Sequence, residues 1–226
     1  MPGRQTLLMQ FDDLFNTNTV GLIRGHKGHL YFKNGAQFWL YRPLPLPLAH
    51  KPRDEKELTR LVSMGFLTPA DKAEYSTTQL VAVPKPNGGV RLCGDLKVSL
   101  NKHFSVQQYP LLTVADVLQT AAGGTQFLKR DLAYAYLQVE FDVESRRYVV
   151  FTTHKGLYQV NRLAVGLAAA PAIFQSIIKQ IILPVPRAHF YLDDVLFIGF
   201  NKRRTLGRST QVFREITSCR KQTLTW

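Results

Sequence analysis

The run His189-Phe190-Tyr191-Leu192-Asp193-Asp194-Val195-Leu196-Phe197-Ile198 places two adjacent aspartates between two short apolar segments typical of buried strands. Two-residue hairpin turns favour Asn-Gly or Asp-Gly, because a positive φ costs little there, so Asp-Asp is a poor simple turn. The two carboxylates also repel each other unless a cation lies between them. The run predicts a β-hairpin whose turn binds a metal ion. A solvated surface turn is the alternative that these residues leave open.

A third aspartate, Asp131, has a similar setting, because it closes the strand-like segment that begins at Gln126. It would meet the Asp-Asp turn if the two strands pair, which spacing alone does not show. Three converging carboxylates would suit Mg²⁺, a hard cation bound through a few carboxylates and substrate phosphates. Two such ions can activate a 3′-hydroxyl and stabilise a leaving pyrophosphate.

The chain has the composition of a basic globular protein. Of its 226 residues 45% are hydrophobic, and 29 Lys and Arg stand against 16 Asp and Glu, which gives a formal net charge of +13. Such an excess favours a polyanionic partner, most commonly nucleic acid. Close to half of the excess lies in residues 201–226, which contain seven basic residues and one acid.

The sequence predicts an intracellular chain. Cys93 and Cys219 are far apart and form no metal-binding pattern, so free thiols are expected. No apolar stretch reaches the length that spans a bilayer, and residues 1–15 lack the apolar segment of a signal peptide. We therefore expect a cytoplasmic or nuclear location and no membrane partner.

Hydrophobic periodicity and turn residues predict helices that alternate with strands. Thr113 is a good N-cap for a helix to about Ala121, and Gly123-Gly124 ends it. The predicted helices span residues 51–66, 113–121 and 170–183, and the predicted strands span 80–83, 90–93, 126–129 and 148–153, in addition to the Asp-Asp hairpin. This interleaving favours an α+β fold over a doubly wound one.

Six segments occur in an order and spacing that resemble a known family. They are Val83-Pro84-Lys85-Pro86-Asn87-Gly88-Gly89-Val90-Arg91-Leu92-Cys93-Gly94-Asp95, Leu100-Asn101-Lys102, Gln108-Tyr109-Pro110-Leu111, Phe127-Leu128-Lys129-Arg130-Asp131-Leu132, Gly166-Leu167-Ala168-Ala169-Ala170-Pro171-Ala172-Ile173-Phe174-Gln175 and Tyr191-Leu192-Asp193-Asp194. Over roughly residues 10–200 the chain resembles the reverse transcriptases of LTR retrotransposons, especially gypsy-type elements, and more distantly those of retroviruses. Each segment alone is weak, and their joint order carries the resemblance.

The resemblance implies an RNA-directed DNA polymerase with a right-hand fold, in which fingers precede a palm built on an antiparallel sheet with flanking helices. Residues 1–50 would then form an N-terminal extended arm. The fingers would span about residues 51–125 and the palm about 126–200. Residues 201–226 would be a divergent basic tail with the start of a thumb.

The resemblance also implies the metal site and its substrates. Asp131 matches the first metal-binding aspartate of the family, and Asp193 and Asp194 match the pair in the palm turn. These three residues would be catalytic and would bind two Mg²⁺ ions, with Mn²⁺ as a possible substitute. The partners would be an RNA or DNA template with its primer and a deoxynucleoside triphosphate.

Further residues match nucleotide-binding positions of the family. Arg91 and Lys85 match finger residues that hold the triphosphate, for which charge-assisted contacts suit both; a solvated hairpin face is the alternative. Tyr136 matches the residue that excludes a 2′-hydroxyl, with a plain core aromatic as the alternative. Gly166 begins, and Gln175 ends, the segment expected under the nucleotide and template.

Other positions concern the primer and departures from the family. Tyr191 is expected near the primer end. Val165 stands where gypsy-type enzymes usually carry Phe, and Ala133 and Tyr134 replace more polar residues. After Gly199 the resemblance fades, although the spacing of three apolar residues favours part of a further helix, namely Leu206, Phe213 and Ile216.

The end of the chain at Trp226 leads to two expectations. The sequence contains no RNase H, protease or integrase motif, so we expect a fragment of a retroelement polyprotein or a decayed copy. The missing partners would be the thumb, RNase H and integrase domains. A nucleic-acid-binding remnant without catalysis is the alternative to an active polymerase.

Overall fold

The computed structural model describes residues 20–45, 51–86, 89–105, 113–132, 134–191 and 194–221. They divide into two compact units. Of these residues, the first unit contains 20–26, 113–132, 134–138, 171–191 and 194–221, and the second contains 27–45, 51–86, 89–105 and 139–170. Among the described helices, none combines the length and the apolar character needed to cross a membrane.

Short strands and helices alternate along the chain. The strands are β1 Leu22–Ile23, β2 Lys27–Gly28, β3 Leu67–Ala70, β4 Thr78–Pro84, β5 Val90–Gly94, β6 Gln126–Asp131, β7 Glu140–Phe141, β8 Val150–Thr153, β9 Gly156–Val160, β10 Ala188–Tyr191, β11 Asp194–Gly199 and β12 Arg220–Lys221. The α-helices are α1 Lys51–Ser63, α2 Leu96–Ser99, α3 Val114–Ala121, α4 Val143–Arg146, α5 Ala170–Ile182 and α6 Lys202–Cys219. Two 3₁₀ turns span Asn101–His103 and Tyr136–Gln138. The α+β prediction is confirmed.

The second unit is built on a five-stranded sheet with the order β3-β9-β8-β4-β5. Strands β4 and β5 form the predicted antiparallel hairpin, in which Val83 lies opposite Arg91. Helix α1 ends three residues before the predicted position, because Gly65 adopts a φ of +70° and the chain turns there. The amide of Phe66 then donates to the carbonyl of Leu61, and the Phe66 side chain enters the core.

The first unit is built on a three-stranded antiparallel sheet with the order β10-β11-β6. Helix α3 begins as predicted, because the Thr113 hydroxyl accepts from the amide of Asp116 and the Asp116 carboxylate accepts from the amide of Thr113. Gly123, with a φ of +74°, follows its end. Helix α5 covers the predicted span to within one residue.

One face of this sheet is buried and contains Phe190, Val195 and Phe197. The Phe174 ring on α5 lies 5.5 Å from the ring of Phe190. The Phe213 ring on α6 lies 6.2 Å from the ring of Phe197. Helices α5 and α6 therefore cover this buried face, as one face of a half-buried sheet requires.

Helix α6 includes the three apolar positions of the expected tail, and Phe213 and Ile216 are buried. Strand β12 after it pairs with β1. Whether α6 corresponds to the start of a thumb stays a prediction. The expected extended arm lies only partly within the described residues, which in this region are 20–45 and contain β1 and β2.

Neither compact unit is continuous in the chain, and the predicted division into fingers and palm near residue 125 stays a prediction. Strand β8 pairs with β4, and strand β9 pairs with β3. Residues 139–170 therefore belong with residues 27–107, although they follow β6 in the chain. Strand pairing between distant segments produces this division, which local sequence patterns do not contain.

Candidate active site

Strand register brings two of the three predicted aspartates face to face. Asp131 is the last residue of β6, Asp194 is the first residue of β11, and the two are directly opposed in the antiparallel ladder. Directly opposed residues have Cβ atoms about 4.5–5.5 Å apart. The strands that had to pair for the carboxylates to meet do pair. Asp193 lies outside the described residues.

The same row of the ladder continues into the third strand, because the backbone of Tyr191 on β10 is opposite Asp194. Tyr191, Asp194 and Asp131 thus occupy adjacent strands at one end of the sheet. The predicted position of Tyr191 near the primer end stays a prediction.

Alternation along the strands places both aspartates on the side of the sheet away from Phe190, Val195 and Phe197. Ile198 lies on the same side but is fully buried, so only part of this side is accessible. We call the accessible part the open face and define it by residues Phe127, Lys129, Asp131, Asp194 and Leu196. Phe127 is 55% exposed, and Lys129 and Asp131 are also exposed. The two carboxylates therefore lie on an accessible surface supported from behind by a packed core.

Lys129 forms an ion pair with Asp194, one member of this carboxylate pair. It precedes Asp131 by two residues and shares its face, and its Nζ lies 2.7 Å from Oδ2 of Asp194. The hydrogen bond to Asp194 raises the pKa of Lys129, and the negative charges of Asp194 and Asp131 act in the same direction. Two carboxylates directly opposed across a ladder repel each other, and the ammonium offsets that repulsion. No role was predicted for Lys129 from the sequence, although its spacing of two residues from Asp131 was a usable signal.

The donor set fits a hard divalent cation. Carboxylate oxygens are ligands that Mg²⁺ prefers, and it commonly binds through one or two of them together with substrate phosphates. The described residues contain no group of three or more potential metal ligands, so the described site consists of the Asp131–Asp194 pair. The predicted three-carboxylate set extends to Asp193 and stays a prediction.

Tyr136 lies in the 3₁₀ turn that follows β6. Its ring is half-buried and packs edge-on against Phe174 at a centroid distance of 5.5 Å. Phe174 in turn contacts Phe190 of the β10-β11-β6 sheet. Packing against Phe174 thus holds the Tyr136 ring in place. Its predicted role in excluding a 2′-hydroxyl stays a prediction.

Gln175 has a different setting from the aspartates. Its side chain is buried on α5 and lines a cavity of about 350 Å³ that Lys179, His189 and Phe190 also line. Phe190 belongs to the buried face of the sheet. Gln175 is therefore not among the residues of the open face, and its expected contact with the nucleotide stays a prediction.

The remaining predicted residues belong to the second unit. Lys85 directly follows β4 and Arg91 lies on β5, so both occupy the tip region of one hairpin. Arg91 is exposed and Lys85 is half-exposed. The arrangement leaves both cations accessible for an anionic ligand.

Gly166 lies in a loop that one side chain holds. Its φ is +92°, a conformation that favours glycine. The Asn101 Nδ2 donates to the carbonyl of Gly166, and the amide of Ala168 donates to Asn101 Oδ1, both at 2.9 Å. Asn101 was part of a recognised segment, but its role as a clamp on this loop could not be inferred from the sequence.

Comparison with known proteins identifies relatives of this chain. The chain is 32% identical over 187 residues to an uncharacterized protein of Caenorhabditis elegans, covering 82% of this chain and 15% of that protein. It is 26% identical over 208 residues to the retrovirus-related Pol polyprotein from transposon 297 of Drosophila melanogaster, covering 88% of this chain and 19% of the polyprotein. The chain thus spans less than a fifth of the length of these relatives.

A solved structure has the same fold. The foamy viral protease-reverse transcriptase in complex with an RNA/DNA hybrid superposes with a TM-score of 0.81 at 20% identity, covering 95% of this chain and 29% of that one. The expected polymerase fold is thereby confirmed.

The family model described as reverse transcriptase (RNA-dependent DNA polymerase) matches residues 83–224, so the match continues past residue 200, where the resemblance described from the sequence ends. This range includes Asp131, Asp194 and the sheet that opposes them. The chain belongs to the reverse transcriptase family.

Proposed function

We propose that this chain extends the 3′ end of a primer on an RNA template, using deoxynucleoside triphosphates and two Mg²⁺ ions. The observation that carries the proposal is the directly opposed pair Asp131–Asp194 on the open face of the sheet. The Lys129 ammonium offsets part of their repulsion at Asp194, and the paired carboxylates still offer oxygen ligands that suit a divalent cation.

In this proposal the carboxylates of Asp131 and Asp194, together with Asp193, hold the metal ions. When bound, Mg²⁺ would supply activation of the primer hydroxyl and neutralise charge on the leaving pyrophosphate. Mn²⁺ could replace it, because carboxylate and water ligands suit both ions. The strand register, not a flexible loop, fixes the separation of the two described carboxylates.

The other predicted residues take roles around the nucleotide and the primer. Arg91 and Lys85 would bind the triphosphate through charge-assisted hydrogen bonds. Tyr136, held by Phe174, would exclude a 2′-hydroxyl from the sugar site. Gly166 and Gln175 would border the segment beneath the nucleotide, and Tyr191 would lie near the primer end.

The charge and the fold support a nucleic-acid partner. The net charge of +13 favours a polyanion, and the foamy viral protein of the same fold was solved with an RNA/DNA hybrid. Such a partner would place the protein in the cytoplasm or nucleus. The thumb, RNase H and integrase regions expected of a Pol polyprotein would be further partners.

Primer extension on an RNA template with Mg²⁺ tests the proposal. Asp194→Asn and Asp131→Asn should each lower the rate by about a thousandfold, because several kcal/mol of charge stabilisation are lost. The matched control is Asp71→Asn, an exposed acid in the second unit, which should extend like the wild type. Equal extension by the wild type and Asp194→Asn would show that the assigned site is wrong.

A nucleic-acid-binding protein without catalysis is the second candidate, and the net charge of +13 favours it. Salt-dependent binding of primer–template duplexes by the wild type, without any extension, would support this candidate over the first.

A further inference from the structure

Lys129 forms an ion pair with one of the two opposed carboxylates. Its Nζ lies 2.7 Å from Oδ2 of Asp194, and Asp194 lies directly opposite Asp131. Among the described residues, no other ion pair involves either aspartate. One positive and two negative charges therefore share a small part of the open face.

The ion pair is accessible to solvent. The Lys129 side chain is 67% exposed, and that of Asp194 is 31% exposed. Exposed ion pairs contribute little to stability, so the fold does not require this pair to persist. The flexible lysine stem can move its ammonium away from the carboxylate without opening a cavity in the core.

We propose that Lys129 is a resident counter-ion of the site, which holds Asp194 when no divalent ion is bound and must leave before one binds. The proposal rests on the proposed function, since it assumes a divalent-ion site at Asp131 and Asp194. Lys129 is a positioning residue here. Because of this counter-ion, the chain binds divalent ions more weakly than the same carboxylates would bind them without the Lys129 ammonium.

The physical reason is competition for the same oxygen lone pairs. An ammonium at hydrogen-bond distance uses a carboxylate oxygen that a metal ion would use. It also places a positive charge within a few ångströms of an incoming divalent cation. At that distance even a high effective dielectric leaves a repulsion large enough to change affinity by about tenfold.

Binding of Mn²⁺ to the purified chain tests the proposal directly. Free Mn²⁺ is measured by electron paramagnetic resonance, without nucleotide or nucleic acid. Lys129→Met should bind Mn²⁺ about tenfold more tightly than the wild type. Lys129→Arg, which keeps a cation, should stay near the wild type. The matched control Lys97→Met removes an exposed charge from α2 and should leave the affinity unchanged.

Two additional readouts separate competition from a structural effect. Raising the salt concentration should narrow the difference between Lys129→Met and the wild type, because exposed charges are screened. Mn²⁺ should also raise the melting temperature of Lys129→Met more than that of the wild type, since tighter binding to the native state stabilises it more. Lys129→Gln provides a second uncharged variant if the methionine variant does not fold.

The outcomes distinguish the two proposals. If Asp194→Asn weakens Mn²⁺ binding while Lys129→Met and Lys129→Gln bind like the wild type or more weakly, the counter-ion role is refuted and the metal site stands. If neither the wild type nor the lysine variants bind Mn²⁺, both the counter-ion role and the proposed function fail.

Discussion

The two faces of the β10-β11-β6 sheet use the same strands for different purposes. The buried face packs Phe190, Val195 and Phe197 against α5 and α6. The open face presents charged and exposed side chains, including the opposed carboxylates of Asp131 and Asp194. Because successive side chains of a strand alternate, each strand contributes to both faces at once.

The residues that stabilise the fold and the residues that carry the proposed chemistry thus lie on different faces of one sheet. Core packing on the buried face holds the strand register, and the register in turn fixes the two carboxylates on the open face. Substitutions on the buried face should therefore reduce stability, whereas substitutions on the open face should change ion binding and catalysis while the fold persists.

A pair of phenylalanine substitutions tests this separation most strongly. Phe197→Ala, on the buried face, should lower the free energy of unfolding by about 3–5 kcal/mol, because it removes a fully buried ring and leaves a cavity. Phe127→Ala, on the open face of β6, should lower it by less than about 1 kcal/mol. Equilibrium denaturation of both variants measures the difference. Similar losses for the two would contradict the division between the faces.

The aspartates should show the reverse behaviour. Asp131→Asn should remove most primer-extension activity, as proposed above, yet keep the free energy of unfolding within about 0.5 kcal/mol of the wild type, because the side chain is exposed and opposes a like charge. Denaturation and primer extension on the same preparation provide the two measurements. A large loss of stability would mean that the carboxylate also supports the fold.

Alanine substitutions at two glycines, one in the sheet and one in the helix that covers it, should have opposite effects on stability. A Cβ on Gly199 would lie 1.9 Å from Oγ1 of Thr205, so Gly199→Ala should destabilise the protein by about 2 kcal/mol. A Cβ on Gly207, within α6, meets nothing within 4 Å. Gly207→Ala should therefore stabilise the protein by about 0.5–1 kcal/mol, because alanine favours the helix. Thermal or chemical denaturation should show that one variant is less stable, and the other more stable, than the wild type. If both variants were less stable, close packing at Gly199 would not be the sole cause.

Local patterns predicted the elements of this site well. The Asp-Asp hairpin strands, β6 and the Thr113-capped helix α3 follow from alternation, turn residues and capping, all of which act over a few residues. The pairing of β6 with β11 could not be predicted from the sequence, because it joins segments far apart in the chain. The meeting of Asp131 with the Asp-Asp turn was therefore conditional on that pairing. The structure meets that condition and places Asp131 opposite Asp194.

The parts that the sequence did not predict depend on long-range contacts of single side chains. Lys129 could have been assigned to the face of Asp131 from its spacing, but its partner Asp194 required the register. The clamp of Asn101 on the Gly166 loop joins two distant segments of the second unit. The burial of Gln175 beside a cavity depends on how α5 packs, which periodicity alone does not specify.

The loop at Gly166 lies outside the strands, and the side chain of Asn101 holds it instead. Asn101→Ala should lower the free energy of unfolding by about 1–2 kcal/mol, because two hydrogen bonds are lost. Hydrogen exchange at the Ala168 amide should accelerate, since that amide donates to Asn101. The control Asn161→Ala removes bonds to Gly65 and Thr68 instead and should leave exchange at Ala168 unchanged. Equal exchange at Ala168 in all three proteins would exclude the clamp.

The smallest expected effect concerns His189 of β10, which lines the same cavity as Gln175. His189 is opposite Leu196 in the ladder, and burial lowers its pKa, with the positive charge of Arg187 acting in the same direction. The folded state thus favours the neutral imidazole. Its contribution to stability is complete above the unfolded-state pKa of about 6.5 and is lost as the pH falls through the lowered folded-state pKa.

Chemical denaturation at pH 7.5 and pH 5.0 measures this dependence. The wild type should lose more stability between the two values than His189→Gln, which cannot gain the proton. His26→Gln, a matched histidine substitution outside the sheet, should follow the wild type. If His189→Gln loses as much stability as the wild type, the acid sensitivity belongs to other groups, such as His103, whose pKa burial also lowers.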